Sequence, residues 1–294
     1  MALYALSDLH LSYAEDARDM TIYSPIWKEH EEKIKRNWLS TVTEDDTIVL
    51  GGDLSWGKSL EDCRQDFEFV LGLPGRKIML RGNHDRFWRS NYTERLNKEF
   101  EGRLLFLQDN FYSYKGYALV GSKGYCFENL DPFDHFRRIQ KREVKRLKKS
   151  FEEAAAAGFD KYIVFLHYPP TSCIWPPTHE LCEALGYSPA QEELIKEKNR
   201  DILRAHGYVD IGRNLVINLK NLSQKELLAI KDCTEYLSSP ITDLISKYKA
   251  EQVIYGHSHG KEHFDDSILG EHHGSLYRLS SGDYVDFAPI KILD

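Results

Sequence analysis

Five short apolar runs in this chain each end in a patch rich in His, Asp, Asn and Gly. The runs are Ala2–Ser7, Thr47–Leu50, Lys77–Leu80, Tyr162–Leu166 and Gln252–Tyr255, and each reads as a buried strand. The patches are Ser7-Asp8-Leu9-His10, Gly51-Gly52-Asp53, Gly82-Asn83-His84-Asp85, Leu166-His167-Tyr168 and Gly256-His257-Ser258-His259. Helical patterns over Ile26–Thr41, Leu60–Leu71 and Asn91–Phe100 separate the early runs. Alternating strand and helix predicts an α/β sheet with helices on its faces. In such sheets ligands sit beyond the carboxyl ends of strands, where all five patches fall.

The remaining chain adds antiparallel and helical pieces. Phe111–Val120 is two β-rich runs around Lys115-Gly116, a hairpin signal. Ser275–Ile292 has similar strand content, interrupted at Gly282. Phe136–Ala157 reads as one long helix stopped by Gly158, with an apolar stripe of Phe136, Ile139, Val144, Leu147 and Phe151. Its strongly basic face is either a solvated surface or a rim that attracts an anionic substrate. From Thr171 to about Lys249 the pattern loosens: Pro189–His206 and Ser223–Leu237 read as helical, Tyr208–Lys220 as irregular or strand, and Leu244–Lys249 returns the chain to the sheet. The expectation is one domain over residues 1–294 with a helical subdomain or lid inserted at about 171–240.

A chain of 294 residues, 41% hydrophobic and 29% charged, can bury a large core without disulfides or structural metals. The net charge of −7 argues against broad binding to nucleic acid or membrane surfaces. Cys63, Cys126, Cys173, Cys182 and Cys233 are odd in number and lack C-x-x-C spacing, so reduced thiols are expected. The N-terminus has no basic leader, Asp8 breaks its apolar run, and no run is long enough to span a bilayer; a cytoplasmic location is expected.

The patches carry the chemistry. Asp8 and His10 are two apart, so at a strand end both can face one ion, and a carboxylate with an imidazole suits Mn, Fe or Zn better than Mg or Ca. Asp53 follows two glycines, which leave its carboxylate uncrowded and able to bridge two ions. Asn83 offers a neutral carbonyl oxygen. His84 can donate a proton or stabilise a leaving oxygen. Asp85 either orients His84 or caps the following helix. Arg81 and Arg86 either meet phosphate oxygens or are ordinary surface charges. His257 and His259 repeat the i, i+2 logic, whereas His263, His272 and His273 fit no second site and are read as surface residues. Taken singly, Asp8-x-His10, Gly52-Asp53 and His167 would be assigned to a turn or a core histidine.

Their order and completeness resemble the calcineurin-like metallophosphoesterases, whose signature is D-x-H, G-D, G-N-H-[DE], H and G-H-x-H. Every element is present, and the resemblance runs from residue 3 to about 288. The forms SDLHLS, GDLSW, RGNHD and LHYPP are similar to a bacterial branch of phosphohydrolases. The resemblance implies a four-layer αββα sandwich of two mixed β-sheets flanked by helices. It implies a first metal held by Asp8, His10 and His259, a second held by Asn83, His167 and His257, and Asp53 between them. His84 would serve the leaving oxygen, with Asp85 as its partner. The implied cofactors are two divalent ions, Mn first with Fe or Zn as alternatives. The implied reaction is hydrolysis of a small phosphodiester or phosphomonoester by a metal-bridging hydroxide. A nuclease acting on nucleic-acid ends and a non-catalytic metal-binding scaffold are the competing readings. The 90 positions between His167 and His257 (257 − 167) exceed what plainer members need, which directs attention to the insertion as the determinant of substrate.

Overall fold

The computed structural model describes residues 1–13, 18–89, 91–126, 133–170, 188–190, 239–265 and 267–294. The insertion expected at about 171–240, including the helices at Pro189–His206 and Ser223–Leu237 and the stretch Tyr208–Lys220, lies almost wholly outside the described residues.

Eleven strands are described: β1 (Leu3–Leu6), β2 (Thr47–Leu50), β3 (Arg76–Met79), β4 (Leu104–Phe106), β5 (Phe111–Tyr114), β6 (Tyr117–Ser122), β7 (Tyr162–Leu166), β8 (Gln252–Tyr255), β9 (Gly270–His272), β10 (Ser275–Leu279) and β11 (Ile290–Leu293). They form two sheets, ordered β11-β1-β2-β3-β4 and β5-β6-β7-β8-β10-β9. In the first, β1 to β4 are parallel and β11 is antiparallel at the edge. In the second, β6, β7, β8 and β10 are parallel, with antiparallel β5 and β9 at the two edges. Both sheets are therefore mixed.

Side-chain alternation along the strands builds the layers. In β1, Leu3 and Ala5 point to one buried cluster while Tyr4 and Leu6 point to another. In β7, Ile163 and Phe165 join that first cluster, and Tyr162, Val164 and Leu166 join a third. The shared cluster, with Val49, Ile78, Leu119 and Ile254, is thus the seam between the two sheets. The second cluster packs sheet one against α1 (His30–Thr41), α2 (Arg64–Leu71) and α3 (Thr93–Glu99), through residues such as Ile34, Trp38, Phe67, Val70 and Leu96. The third packs sheet two against α4 (Phe133–Ala156) and α5 (Pro240–Lys247), through Leu147, Phe151, Ile241 and Ile245. Helix, sheet, sheet and helix make the four-layer αββα sandwich. A short α6 (Lys261–Asp265) follows β8.

Local sequence explains two of the element ends directly. At the β5–β6 turn, Lys115 and Gly116 both have positive φ (42° and 84°), the twist that a two-residue hairpin needs. Ser239 caps α5 by accepting from Ile241 N and Thr242 N, while the Thr242 hydroxyl accepts from Ser239 N.

Some expected boundaries move. The helix expected over Ile26–Thr41 begins at His30, because Pro25–Trp27 is a single 3-10 turn and Glu29 lies in the left-handed region (φ 55°). That break lets Trp27 pack edge-on against His10 and His259. The helix expected from Leu60 begins at Arg64, since Asp62 ties Lys58 N and Ser59 N into a preceding turn. Leu244–Lys249, expected to lead the chain back to the sheet, falls largely within α5, and β4, β9 and α6 are additional to the elements expected from the sequence. Among the described residues no helix is long and apolar enough to cross a membrane.

Candidate metal centre

The carboxyl ends of β1, β2 and β3 in one sheet meet those of β7 and β8 in the other, and hydrogen bonds stitch them together. Gly256 N donates to His167 O (3.0 Å), His257 N to Asp8 Oδ2 (2.9 Å), and Asp8 N to Gly52 O (2.9 Å). The strands stop here through unusual backbone: Asp8, His10, Asp53 and His257 all have φ between 46° and 69°. Such conformations cost roughly 1–3 kcal/mol each in non-glycine residues and persist where surrounding structure over-determines them. Close approach demands glycine at two positions. A Cβ on Gly82 would fall onto the Asp53 amide and carboxylate, and one on Gly256 would lie 2.5 Å from Asp8 Oδ2.

All seven expected ligand residues converge. Asp8, His10 and His259 form one group, and Asp53, His167 and His257 a second; within each, one ligand atom per residue lies within 4.8 Å of the others. Asn83 joins the second group, its Oδ1 being 2.6 Å from His167 Nε2. Asp53 Oδ2 stands between the groups, 3.9 Å from His10 Nε2 on one side and 3.5 Å from His167 Nε2 on the other. The two groups also touch through Asp8 Oδ1 and His167 Nδ1, 3.8 Å apart.

The donor set fits divalent cations. His167 Nδ1 faces the Gly51 carbonyl at 3.0 Å, which can only accept, so this nitrogen carries the proton and Nε2 presents a lone pair. Burial holds His167 well below the usual histidine range, so the ring is neutral. Its Nε2 lone pair then faces the Asn83 carbonyl oxygen, an arrangement of two acceptors that a cation satisfies. Asp8 Oδ1 is buried without a hydrogen-bond partner. Burial, reinforced by Asp85 and Asp8, pushes the Asp53 carboxyl well above the carboxylate range. A carboxylate so short of positive charge is suited to accepting metal ions.

His259 behaves differently. Burial lowers its pKa, but Asp8 and Asp283 outweigh this and raise it to about 10. The Asp283 carboxylate faces His259 Nδ1 at 2.8 Å and accepts from Gly260 N at 3.1 Å. Asp283 had no sequence signal, because it lies beyond β10, outside every patch, and becomes a partner only when β10 pairs with β8.

His84 is half-buried, with Nε2 3.9 Å from Asp53 Oδ2 and its backbone N–H donating to Asp53 Oδ1 (2.7 Å). Burial, with His257, Arg86 and Arg18 adding to it, lowers its pKa to about 4. Its ring packs 4.0 Å from Trp56, which stacks on His10 on one side and lies under the Arg18 guanidinium. Trp56 and Arg18 were not expected at the site. Asp85 does not reach His84 as expected. Its buried carboxylate accepts from Asp53 N (2.8 Å), Leu54 N (3.0 Å) and Gly82 N (2.6 Å), bracing the two loops that carry Asp53 and Asn83. The cause is chain direction: the Asp85 side chain points inward under the loop that displays His84. Arg81 is half-buried and Arg86 exposed. His263 and His273 are exposed and His272 bonds the Leu269 carbonyl (3.0 Å), as surface residues would.

Over residues 1–261 the sequence matches the family described as calcineurin-like phosphoesterase. The chain belongs to that family. The Gene 66 proteins of Mycobacterium phages D29 and L5 are 32% and 30% identical over 80 and 79 residues, 27% of this chain in each case. The matched region spans only 38% and 37% of those relatives' lengths. Among solved structures, phosphopantetheinyl hydrolase from Mycobacterium tuberculosis is 12% identical, with a TM-score of 0.46 over 99% of this chain and 95% of that one. A protein of unknown function from Aquifex aeolicus is 15% identical, with a TM-score of 0.43 and the same coverage.

Proposed function

We propose that this phosphoesterase works with two divalent ions, Mn first and Fe or Zn as alternatives, and hydrolyses a small phosphodiester or phosphomonoester. The observation that carries this reading is the position of Asp53 Oδ2 between two separate groups of ligand atoms. In the proposed assignment Asp8, His10 and His259 would hold one ion, Asn83, His167 and His257 would hold the other, and Asp53 would be shared between them. Bound there, such ions supply Lewis-acid chemistry, acidifying a water and polarising phosphoryl oxygens.

The protein's own residues supply the rest. The Gly51 carbonyl and the Asp283 carboxylate orient His167 and His259 through their Nδ1 atoms, so that Nε2 of each faces the centre. Asp85 holds the Asp53 and Gly82 backbones together and thereby sets the spacing of Asp53 and Asn83. His84 is the one imidazole of the set with an accessible side that is not claimed by a ligand group, and it is assigned to the leaving oxygen. Trp56 packs against another part of the His84 ring, with the Arg18 guanidinium over the Trp56 ring.

The test is hydrolysis of bis(p-nitrophenyl) phosphate and p-nitrophenyl phosphate by Mn-loaded protein. Wild-type protein is expected to turn over at least one of them. Asp53→Ala is expected to abolish detectable hydrolysis, as removal of a shared ligand implies, with reduced Mn content by atomic absorption. Full activity in that variant overturns the two-ion assignment, and a Mn-loaded wild type inactive on both esters favours the scaffold reading.

A further inference from the structure

Beside the ligand groups lies positive charge that hydrolysis at the ions does not use. Arg81 immediately precedes the Gly82–Asp85 patch. Lys123 follows β6, and its carbonyl accepts from both His167 N (3.1 Å) and Tyr168 N (2.9 Å). The basic face of α4 brings Arg142 within electrostatic range of both Arg81 and Lys123, and Arg146 within range of Arg81. Burial lowers the pKa of Arg81, and of Lys123 to about 8; Glu143 opposes the shift in both, and Arg142 adds to it in both. Two carboxylates answer them. Glu143, fully buried, accepts from Arg146 Nη1 (2.7 Å) and Arg142 Nε (3.3 Å), and Asp109 lies 3.9 Å from Arg146 Nε.

The donors left over mark a ligand. Lys123 is only 9% exposed, yet its ammonium makes no hydrogen bond or ion pair with any described residue. It sits instead against two ring faces, Tyr125 at 5.0 Å and Tyr168 at 4.9 Å. Arg81 Nε is likewise buried without a hydrogen-bond partner. A buried guanidinium N–H such as Arg81 Nε is costly unless an acceptor meets it. The Tyr168 ring is in turn 4.0 Å from the His257 ring, so the ammonium stands one aromatic ring away from the second ligand group.

We propose that Arg81, Lys123 and Arg142 form an anion subsite that receives a second phosphoryl group of the substrate, next to the one at the ligand groups. This rests on the hydrolytic reading and narrows it: the substrate is a phosphoester that carries another phosphate. Arg81 and Arg142 offer planar forks to phosphate oxygens, and Lys123 offers a point charge on a stem held between tyrosines. The same cluster explains why α4 is basic on a face that is not wholly solvated.

Two experiments separate the subsite from the hydrolytic reading. The first is calorimetric titration of metal-stripped protein with inorganic phosphate. Wild type is expected to bind, and Lys123→Met and Arg142→Gln to bind at least about tenfold more weakly, the loss expected for one charge-assisted contact. Arg142 is largely exposed, so its variant keeps the test valid if Lys123→Met fails to fold. No phosphate binding by wild type, or equal binding by Arg142→Gln, overturns the subsite and leaves a structural ion network anchoring α4. The second compares Mn-loaded proteins on two p-nitrophenyl esters: thymidine 5′-(p-nitrophenyl phosphate) and the same compound with a 3′-phosphate. The ratio of their kcat/KM values is expected to favour the bisphosphate in wild type and to fall at least about tenfold in both variants. An unchanged ratio overturns the second-phosphate assignment. Hydrolysis of neither ester by wild type counts against the hydrolytic reading, while the phosphate titration still decides the subsite.

Discussion

Replacing Asp283 with Ala tests whether the centre depends on a residue outside every patch. Its carboxylate makes two contacts, to His259 Nδ1 at 2.8 Å and from Gly260 N at 3.1 Å, and both disappear. The freed ring samples about six combinations of χ1 and χ2 wells, and selecting one of them again to bind an ion costs about 1 kcal/mol (RT ln 6). Loss of the carboxylate also makes His259 a weaker base and hence a weaker ligand. Together these place the loss of metal affinity at about tenfold to a hundredfold, the range found for such outer partners of metal-bound histidines. The assay is Mn titration of metal-stripped protein by calorimetry, with the Mn dependence of ester hydrolysis as a second readout. Affinity is expected to fall in that range for one ion and to change little for the other, because His167 keeps its own orienting contact to the Gly51 carbonyl. Unchanged Mn affinity in Asp283→Ala would refute the argument, as would equal loss at both ions.

Gly82→Ala should destabilise the protein by about 1–3 kcal/mol and reduce its metal content, because the added Cβ meets the Asp53 amide and carboxylate; urea unfolding and metal analysis check it, and a variant with normal stability and loading would remove the steric account. In metal-free protein, the raised pKa of His259, about 10 against about 6.5 unperturbed, implies stability that is fully present below about pH 6.5 and is lost as pH rises through about 10. Lys123, lowered by burial to about 8, acts oppositely in part of that window, so the measured quantity is the difference in melting temperature between wild type and His259→Gln from pH 6 to 10; a difference that grows with pH contradicts the sign.

The strands and ligands were legible for different reasons. Thr47–Leu50, Tyr162–Leu166 and Gln252–Tyr255 carry their ends in the sequence, because an apolar run stops where glycine or a metal-binding residue begins. The hairpin at Lys115-Gly116 was equally plain, since few residue pairs accept two positive φ values. β9 and α6 were not, being short and half-exposed, with no apolar period to mark them. The break at Glu29 was hidden because Ile26–Thr41 is amphipathic throughout, and tertiary packing of Trp27 on the histidines overrides the local helical pattern.

The chemistry available to this protein is written in its primary structure: which side chains stand at strand ends, in what order, and therefore that two groups of hard and borderline ligands can form. Those facts are local, set by covalent spacing and by where glycine permits close approach. Relations between distant segments come from the packing of the two sheets. Folding set Asp283 on His259, turned Asp85 from His84 to the backbones of Asp53 and Gly82, placed Trp56 and Arg18 beside His84, and gathered Arg81, Lys123 and α4 into one positive cluster. Those contacts join residues separated by up to tens of positions in the chain. They depend on how the two sheets stack, and no local pattern of residues encodes that.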